Sequence, residues 1–397
     1  MKLVLLGAGL QAQAASFDLL QQEDVRELVV ADAELGRAEA LAKRWGDPRV
    51  RPVALDAGDE AAAEGVMRGA RAALSAVPYR FNAGLARAAV RAGASFCDLG
   101  GNNDVVRAEL ALDAAARAAG VTVVPDCGLA PGMVSVLAAD AVASLDRTDS
   151  LDLRVGGLPQ RRGGLLDYSL VFSIEGLVNE YVEDALVLED GEPKVVPSLA
   201  DFEALELPEP WGLLEAFNTS GGTSTLPETY RGRVRRLTYK TIRYPGHGRV
   251  FRALKDLGLL SSAPVEVPGA DGGTARVAPR AVFARVAAPA LDRGEPDVVL
   301  VRVTARGHRG GRDVTRVYDL VDVGDPARGL TAMMRATAFP ATVVLLMLAR
   351  GEVAAKGALP QERCIDPPAF LAALRARGLD VRVTEQAGTE GVVAAGA

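Results

Sequence analysis

The chain has 397 residues, of which 49% are hydrophobic and 24% are charged, a balance that is typical of globular proteins and excludes a disordered or fibrous one. Its formal net charge of -6 argues against nucleic acid as a partner, because nucleic-acid-binding proteins usually carry a basic face. Cys97, Cys127 and Cys364 are far apart in the sequence, so they favour neither a disulfide framework nor a metal site.

The first 125 residues alternate short apolar runs with longer amphipathic ones. Strands are predicted at 2–6, 27–31, 51–54, 72–77, 94–98 and 121–125, and helices near 10–20, 34–45, 59–68, 80–92 and 104–119. Strand-helix-strand units of this length form right-handed crossovers in a parallel sheet. The predicted fold class is therefore α/β, with a Rossmann-type doubly wound parallel sheet as a dinucleotide-binding domain of residues 1–125.

After residue 150 the strand-like runs become longer, at 151–157, 234–243, 297–305 and 313–321. They predict a second, α+β domain at 126–330 for catalysis and dimerisation, within a homo-oligomer. A largely apolar helix at 331–351 is expected to return to the first domain, together with the C-terminal segment to residue 397.

No apolar run approaches about 18 residues and the first strand leads into a glycine loop, so we expect neither a membrane span nor a signal peptide, and a cytoplasmic location.

The segment “LLGAGLQAQAA” at 5–15 follows the first strand and opens the first helix. Gly7 permits the tight turn, Gly9 lets the backbone approach a pyrophosphate, and Ala12 allows close packing of the helix. Asp32 ends the second strand, where a carboxylate binds ribose hydroxyls and repels a 2′-phosphate, so NAD is predicted as cofactor rather than NADP. The predicted cofactor-binding residues are Gly7, Gly9, Leu10, Ala12, Asp32, Asp56, Ala76, Val77 and Pro78, although Asp56 is equally consistent with a helix cap.

Several longer segments carry a family resemblance. They are “DLGGN” (98–102), “PDCGLAPGM” (125–133), “FSIEGLVNEY” (172–181), “LEAFNTSGGTSTL” (214–226), “YKTIRYPGHGRVF” (239–251) and “TAMMRATAFPA” (331–341). With the glycine loop, they resemble the saccharopine dehydrogenase-like family and, within it, the lysine 6-dehydrogenases, from residue 1 to about 370. The resemblance implies NAD-dependent oxidative deamination of L-lysine at the ε-carbon. Its products are ammonia, NADH and 2-aminoadipate 6-semialdehyde, which cyclises to piperideine-6-carboxylate.

The turn within “KTIRYPGH” offers groups that this reaction needs. Arg243 is predicted to bind the substrate α-carboxylate, because a guanidinium fork binds a carboxylate through two hydrogen bonds; a surface salt bridge is the alternative. His247 titrates near neutral pH and is predicted to be the catalytic acid/base, an interpretation that the resemblance favours over a loop histidine that ties the turn. Tyr244 is predicted to contact the substrate as a wall or hydrogen-bond donor.

Four carboxylates and one hydroxyl complete the predicted site. Asp98 ends the fifth strand and Asp126 follows the sixth, at the edge where ligands bind in doubly wound sheets. Both are catalytic candidates that hold the amine or the attacking water, and both are equally consistent with caps of glycine-rich turns. Glu175 and Glu215 are the candidates for the α-ammonium, and Thr223 is predicted to line the pocket.

Two alternative functions remain open on the sequence. A saccharopine reductase or a carboxynorspermidine-type dehydrogenase keeps the fold and runs the reaction reductively. A nonenzymatic dinucleotide-binding regulator requires only the features of residues 1–150, and in that case neither Arg243 nor His247 faces the nicotinamide.

Overall fold

Two large sheets organise the chain in the computed structural model, which describes residues 1–164, 166–269 and 272–387. The first part forms β1 (Lys2–Leu6), α1 (Leu10–Leu20), β2 (Glu27–Asp32), α2 (Leu35–Trp45), β3 (Val50–Ala54), α3 (Glu60–Met67), β4 (Ala72–Ser75), a 3-10 turn (Tyr79–Phe81), α4 (Asn82–Ala92), β5 (Ser95–Asp98), α5 (Asn103–Leu110), α6 (Asp113–Ala119), β6 (Thr122–Val124) and α7 (Met133–Ala143). The middle part forms β7 (Arg147–Pro159), α8 (Ile174–Val182), β8 (Ala185–Glu189), β9 (Glu192–Val196), β10 (Glu203–Leu207), β11 (Gly212–Asn218), α9 (Leu226–Tyr230), β12 (Val234–Arg243), α10 (His247–Asp256), β13 (Val265–Pro268), β14 (Thr274–Val277), α11 (Pro279–Leu291), β15 (Asp297–Arg309) and β16 (Arg312–Asp322). The last part forms α12 (Ala332–Arg350), β17 (Gly357–Ala358), α13 (Gln361–Cys364), α14 (Pro367–Ala376) and β18 (Arg382–Ala387).

The first sheet is parallel and has seven strands in the order β17-β6-β5-β4-β1-β2-β3. Its central strands are apolar on consecutive residues because helices cover both faces. The predicted α/β class with a Rossmann-type sheet is confirmed. The helix predicted at 104–119 is instead two helices, α5 and α6, which are separated at Ala111 and Leu112.

The second sheet is mixed and has nine strands. Its main path is β10-β11-β12-β7-β15-β16-β18, and β8 joins β12 to β9. Strands β12 and β7 run parallel, and the other pairs along this path are antiparallel. Because side chains alternate between the faces of a strand, the odd-numbered residues 239, 241 and 243 of β12 share one face.

Helix α12 lies between the two sheets. It packs against α1, β4 and β5 of the first domain and against β15 of the second. By length and composition it is long and apolar enough to cross a membrane, but 89% of its most apolar window is buried inside the protein. The apolar sequence of α12 is therefore accounted for by its place in the core.

The C-terminal segment differs from the prediction. Strand β17 extends the first sheet, but β18 pairs with β16 at the edge of the second sheet. Without β18, β16 would leave a row of backbone groups unpaired, which gives a physical reason for the switch of sheet. The expectation that the whole segment after 351 belongs to the first domain is wrong for 382–387, and its residues 388–397 lie outside the described part.

Asp18 connects three elements of this core. It is 3% exposed on α1, and Thr342 of α12 donates a hydrogen bond of 2.5 Å to its Oδ2 atom. Arg377, just after α14, forms an ion pair of 2.8 Å with its Oδ1 atom. The carboxylate of Asp18 thus neutralises a largely buried guanidinium where the C-terminal helices meet α1.

We expect Asp18→Ala to destabilise the protein by about 3–5 kcal/mol, because removing one partner leaves a buried charge uncompensated. The measurement is the free energy of unfolding in urea. Asp24→Ala is the matched control: it breaks an exposed ion pair of 2.9 Å between Asp24 and Arg350 of α12, which should cost less than about 1 kcal/mol. Equal losses in both variants would contradict the role given to Asp18.

Candidate functional site

A cleft lies between the C-terminal edge of the parallel sheet and the second sheet. Its volume is about 190 Å³. It is lined by Gln11, Leu99, Leu129, Ala130, Pro131, Val155, Gly156, Gly157, Phe172, Glu180, Tyr239, Thr241, Arg243, Met333 and Thr337. Both domains and α12 therefore contribute to its walls, and among these lining residues the charged ones are Glu180 and Arg243.

The glycine loop has the shape that a dinucleotide requires. Gly7 has φ +103°, and a Cβ there would lie 2.9 Å from the carbonyl oxygen of Ala76, so a larger residue does not fit. Gly9 is the N-cap residue of α1 and faces open space, with no atom within 4 Å of a Cβ built on it. Leu10 is 63% exposed beside it. The loop thus leaves the helix N-terminus accessible to a pyrophosphate.

The remaining predicted cofactor residues differ in their surroundings. Asp32 accepts hydrogen bonds from the backbone nitrogens of Ala8 and Glu34, each of 2.9 Å, so its carboxylate is fixed at the end of β2. Ala12 lies on α1 and is fully buried. Asp56 is exposed and accepts a hydrogen bond from Gly58 within its own turn, whereas the N-cap of α3 is Asp59, so the helix-cap alternative for Asp56 is wrong. Ala76, Val77 and Pro78 follow β4 with partly or fully exposed surfaces.

Arg243 ends β12 and reaches the cleft, as predicted, but it is almost entirely buried. Its Nε atom donates a hydrogen bond of 2.9 Å to the hydroxyl of Tyr181, and its Nη1 atom donates one to the carbonyl of Ile242. The ring of Tyr168 stacks over the guanidinium at 5.1 Å. Its Nη2 atom lies 3.9 Å from a carboxylate oxygen of Glu180.

His247 does not line the cleft, contrary to its predicted role of facing the nicotinamide. It begins α10, is 2% exposed, and stacks on Phe251. Both ring nitrogens have protein partners: Nε2 lies 2.9 Å from the hydroxyl of Tyr181, and Nδ1 lies 3.3 Å from the carbonyl oxygen of Leu166. Burial, and then the charge of Arg243, lower the pKa of His247 from 6.5 to about 3. A neutral imidazole with both nitrogens occupied is poorly suited to acid/base work.

Four residues predicted to bind substrate lie away from the cleft. Tyr244 follows Arg243 on the opposite face of the strand, and its hydroxyl donates to the carbonyl of Pro159. Glu215 accepts hydrogen bonds from Gly246 and Gly248, so it satisfies the free N–H groups that begin α10. Glu175 is exposed in the first turn of α8, and the hydroxyl of Thr223 donates to the carbonyl of Leu186.

Glu180 is the cleft carboxylate that the sequence prediction missed. It lies on α8, near Arg243, with 32% of its side chain exposed. Withdrawal from solvent raises the pKa of Glu180 to about 7, against the opposing charge of Arg243. The signal was present, since Glu180 belongs to the quoted segment “FSIEGLVNEY”. The sequence does not show which face of α8 meets the cleft, and the structure shows that Glu180 lies on that face and Glu175 does not.

Asp98 is fully buried in a group of carboxylates at the end of the parallel sheet. Its Oδ1 atom accepts hydrogen bonds from the backbone of Gly100 and Asp126, at 2.6 and 3.2 Å. Burial raises the pKa of Asp98 and that of its neighbour Glu109, which the sequence analysis did not single out. The Asp98–Glu109 pair therefore holds a proton more readily than free carboxyl groups do, and both backbone hydrogen bonds to the Asp98 side chain fall on its Oδ1 atom.

Asp126 faces a second cavity of about 380 Å³, which shares Pro131 with the cleft. One of its carboxylate oxygens accepts a hydrogen bond from Ser224. A Cβ at position 100 would lie 1.8 Å from the other oxygen, so Gly100 gives this carboxylate its space. Burial, and then the charge of Asp98, raise the pKa of Asp126 to about 7.

Two family models match the chain in sequence. The saccharopine dehydrogenase NADP binding domain matches residues 3–124, and the saccharopine dehydrogenase C-terminal domain matches residues 128–379. The boundary between the matches falls between β6 and α7, where the sequence analysis placed the change of domain.

Individual relatives match the chain at low sequence identity. The chain is 26% identical over 273 residues to saccharopine dehydrogenase [NADP(+), L-glutamate-forming] of Saccharomyces cerevisiae, covering 66% of this chain and 59% of that protein. It is 23% identical to mitochondrial alpha-aminoadipic semialdehyde synthase of Bos taurus, covering 90% of this chain and 45% of that protein. The chain thus spans about half to three fifths of the length of these relatives.

Solved structures show the same fold. Apo saccharopine dehydrogenase (L-Glu forming) from Saccharomyces cerevisiae superposes with a TM-score of 0.79 at 20% identity, over 97% of this chain and 99% of that one. Homospermidine synthase from Legionella pneumophila in complex with NAD has a TM-score of 0.66 at 11% identity, over 97% and 91%.

The buried state of His247 predicts a pH dependence of stability. The native protein keeps His247 neutral down to about pH 3, whereas the unfolded chain protonates it below about 6.5. Between these values the unfolded state binds more protons, so His247 lowers the free energy of unfolding as the pH falls, by about 2 kcal/mol from pH 7 to pH 5.

We therefore expect the wild type to lose about 2 kcal/mol more than His247→Gln over this pH range, measured by urea unfolding at each pH. Glu180 and Asp126 titrate in both proteins, so the difference isolates His247. A difference that does not vary with pH would show that His247 protonates normally in the native state.

Proposed function

The chain belongs to the saccharopine dehydrogenase family, and we propose that it is an NAD-dependent dehydrogenase that removes the ε-amino group of L-lysine by oxidative deamination. The products are ammonia, NADH and 2-aminoadipate 6-semialdehyde, which cyclises to piperideine-6-carboxylate. The observation that carries the choice of substrate is the pair formed by Arg243 and Glu180 in an otherwise uncharged cleft lining.

This pair matches the head group of one α-amino acid. A guanidinium binds an α-carboxylate, and a carboxylate 3.9 Å away binds the adjacent α-ammonium. Saccharopine carries three carboxylates, so two of them would enter this lining without a cation to meet them. Because an uncompensated charge in a confined site is costly, the cleft favours lysine over the larger substrate.

The cofactor proposal depends on Asp32. The loop of Gly7 and Gly9 would hold the pyrophosphate, and Asp32 would accept the ribose hydroxyls and disfavour a 2′-phosphate. Arg37, the nearest basic residue along the chain, pairs with Glu34 at 2.8 Å, which lowers its availability to a phosphate. When bound, NAD would accept the hydride that leaves the ε-carbon.

Asp126 is the acid/base that we propose among the three predicted candidates. His247 has both nitrogens occupied, and Asp98 accepts two backbone hydrogen bonds. Asp126 lines a cavity beside the cleft and has a pKa of about 7, so near neutral pH it both accepts and returns a proton. In the proposed reaction it takes a proton from the ε-ammonium and releases it to solvent before water attacks. It then takes a proton from the attacking water and returns it to the departing amine.

The experiment that tests the proposal is an assay of NADH and ammonia formation on a panel of amino acids and diamines, with NAD and NADP supplied separately. We expect L-lysine with NAD to give the highest kcat/KM and ammonia equal to NADH. The main alternative is a saccharopine reductase, which the names of the sequence relatives favour. Faster consumption of NADPH with the semialdehyde plus glutamate would select that alternative.

Substitutions of Arg243 and Glu180 should distinguish binding of the α-carboxylate from binding of the α-ammonium. Arg243→Ala should raise the KM for lysine, with a loss of about 2–5 kcal/mol for a desolvated charge pair, and should affect 1,5-diaminopentane far less because it has no carboxylate. Glu180→Gln should raise the KM for lysine but not for 6-aminohexanoate, which has no α-ammonium. The measurement is steady-state kinetics on the three compounds.

The matched control is Glu175→Gln, which neutralises an exposed carboxylate on the same helix outside the cleft. It should keep the kinetics of the wild type on all three compounds. Losses from Arg243→Ala that are equal for lysine and 1,5-diaminopentane would exclude Arg243 as the carboxylate-binding residue.

A further inference from the structure

We infer that Tyr181 and His247 form a directed chain of hydrogen bonds that positions Arg243 to receive the substrate carboxylate. The inference rests on the proposed function and gives His247 a positioning role in place of the predicted proton transfer. It concerns the selection of substrates that carry an α-carboxylate.

The direction of each hydrogen bond follows from the chemistry of the donors. Arg243 has no acceptor, so the hydroxyl oxygen of Tyr181 must accept at 2.9 Å from Nε. The single hydroxyl hydrogen of Tyr181 is then left for Nε2 of His247, which lies 2.9 Å away and must accept it. The remaining ring hydrogen therefore sits on Nδ1 and is donated to the carbonyl oxygen of Leu166, at 3.3 Å.

Aromatic rings surround this chain of hydrogen bonds. Phe251 stacks on His247 with ring centroids 4.7 Å apart, and it meets Tyr181 edge-on at the same distance. Tyr168 covers the guanidinium of Arg243 and meets His247 edge-on at 5.0 Å. Packing on this side leaves few alternative rotamers to the three polar side chains, so the orientation of the guanidinium is set before substrate arrives.

The hydrogen bonds leave the outer part of the guanidinium available. Of its five N–H groups, Nε–H is given to Tyr181 and one on Nη1 is given to the carbonyl of Ile242. The other three N–H groups, two of them on Nη2, have no hydrogen bond among the described residues, and Nη2 lies 3.9 Å from Glu180, which also lines the cleft. A fixed planar group with this free edge binds a carboxylate through two hydrogen bonds.

The test compares variants that remove, restore or leave intact the hydrogen bonds between Arg243, Tyr181 and His247. Tyr181→Phe removes its central hydroxyl, and His247→Leu removes the acceptor for that hydroxyl. His247→Gln places an amide oxygen near the position of Nε2 and should restore the acceptor. Tyr244→Phe is the matched control, because it deletes a buried tyrosine hydrogen bond to Pro159 on the other face of the strand.

The main measurement is the affinity for L-norleucine by calorimetry in the presence of NAD, since this ligand has the α-amino acid head group but no ε-amine. We expect Tyr181→Phe and His247→Leu to bind it about 10- to 100-fold more weakly, the range for loss of a hydrogen bond to a charged group. The ratio of kcat/KM for lysine to that for 1,5-diaminopentane should fall by a similar factor, with kcat for lysine largely retained. His247→Gln should recover most of both losses, and Tyr244→Phe should show neither.

Two outcomes would overturn the inference. Unchanged norleucine affinity in Tyr181→Phe would show that the chain does not position Arg243. A collapse of kcat on both substrates in His247→Gln, with norleucine affinity intact, would return His247 to the role of acid/base. Failure of the proposed function is separate: the wild type would then bind norleucine through the chain without oxidising lysine.

Discussion

A guanidinium inside a protein is tolerated only when its N–H groups and its charge are met by fixed partners, and Arg243 imposes this constraint on the second domain. Its partners come from the carbonyl of its own strand, from Tyr181 and Glu180 on α8, and from the ring of Tyr168. Helix α8, the loop before it and the start of α10 are therefore tied to the end of β12. The polarity of the cleft follows from this arrangement, since its other lining residues are uncharged.

Much of the fold could be predicted because its signals are local. Apolar runs of five residues, amphipathic runs of ten and glycines at helix ends specify parallel strands and crossover helices without knowledge of distant residues. The glycine loop is similarly local, since Gly7 is required by a positive φ and by the carbonyl of Ala76 at one turn. What escaped was the sheet to which β18 belongs, because pairing with β16 is decided by the open edge of a strand some sixty residues earlier.

The site could be predicted less well than the fold. Arg243 ends a strand beside a turn and lies in the cleft lining, and its contact with a substrate carboxylate stays a prediction. Glu180 was passed over for Glu175, because the choice depends on which face of α8 meets β12. His247 was assigned its intrinsic chemistry, but burial and the charge of Arg243 move its pKa far from neutrality. Glu109 gave no signal, because a glutamate on a short helix is ordinarily at the surface. These errors have a general cause: residue type indicates a possible reaction, but the depth of the group and the face on which it lies in the folded protein decide whether it can perform that reaction.

Helix α12 and the two short strands that follow it have a consequence for synthesis of the chain. The apolar face of α1 is covered by α12, the parallel sheet gains β17 at 357–358, and the edge of β16 is covered by β18 at 382–387. On the ribosome, the first 125 residues therefore emerge with an uncovered helix face, and the second domain emerges with an open strand edge. Neither half reaches its final form until residues 332–387 have been made, so the two domains complete their folding together rather than one after the other.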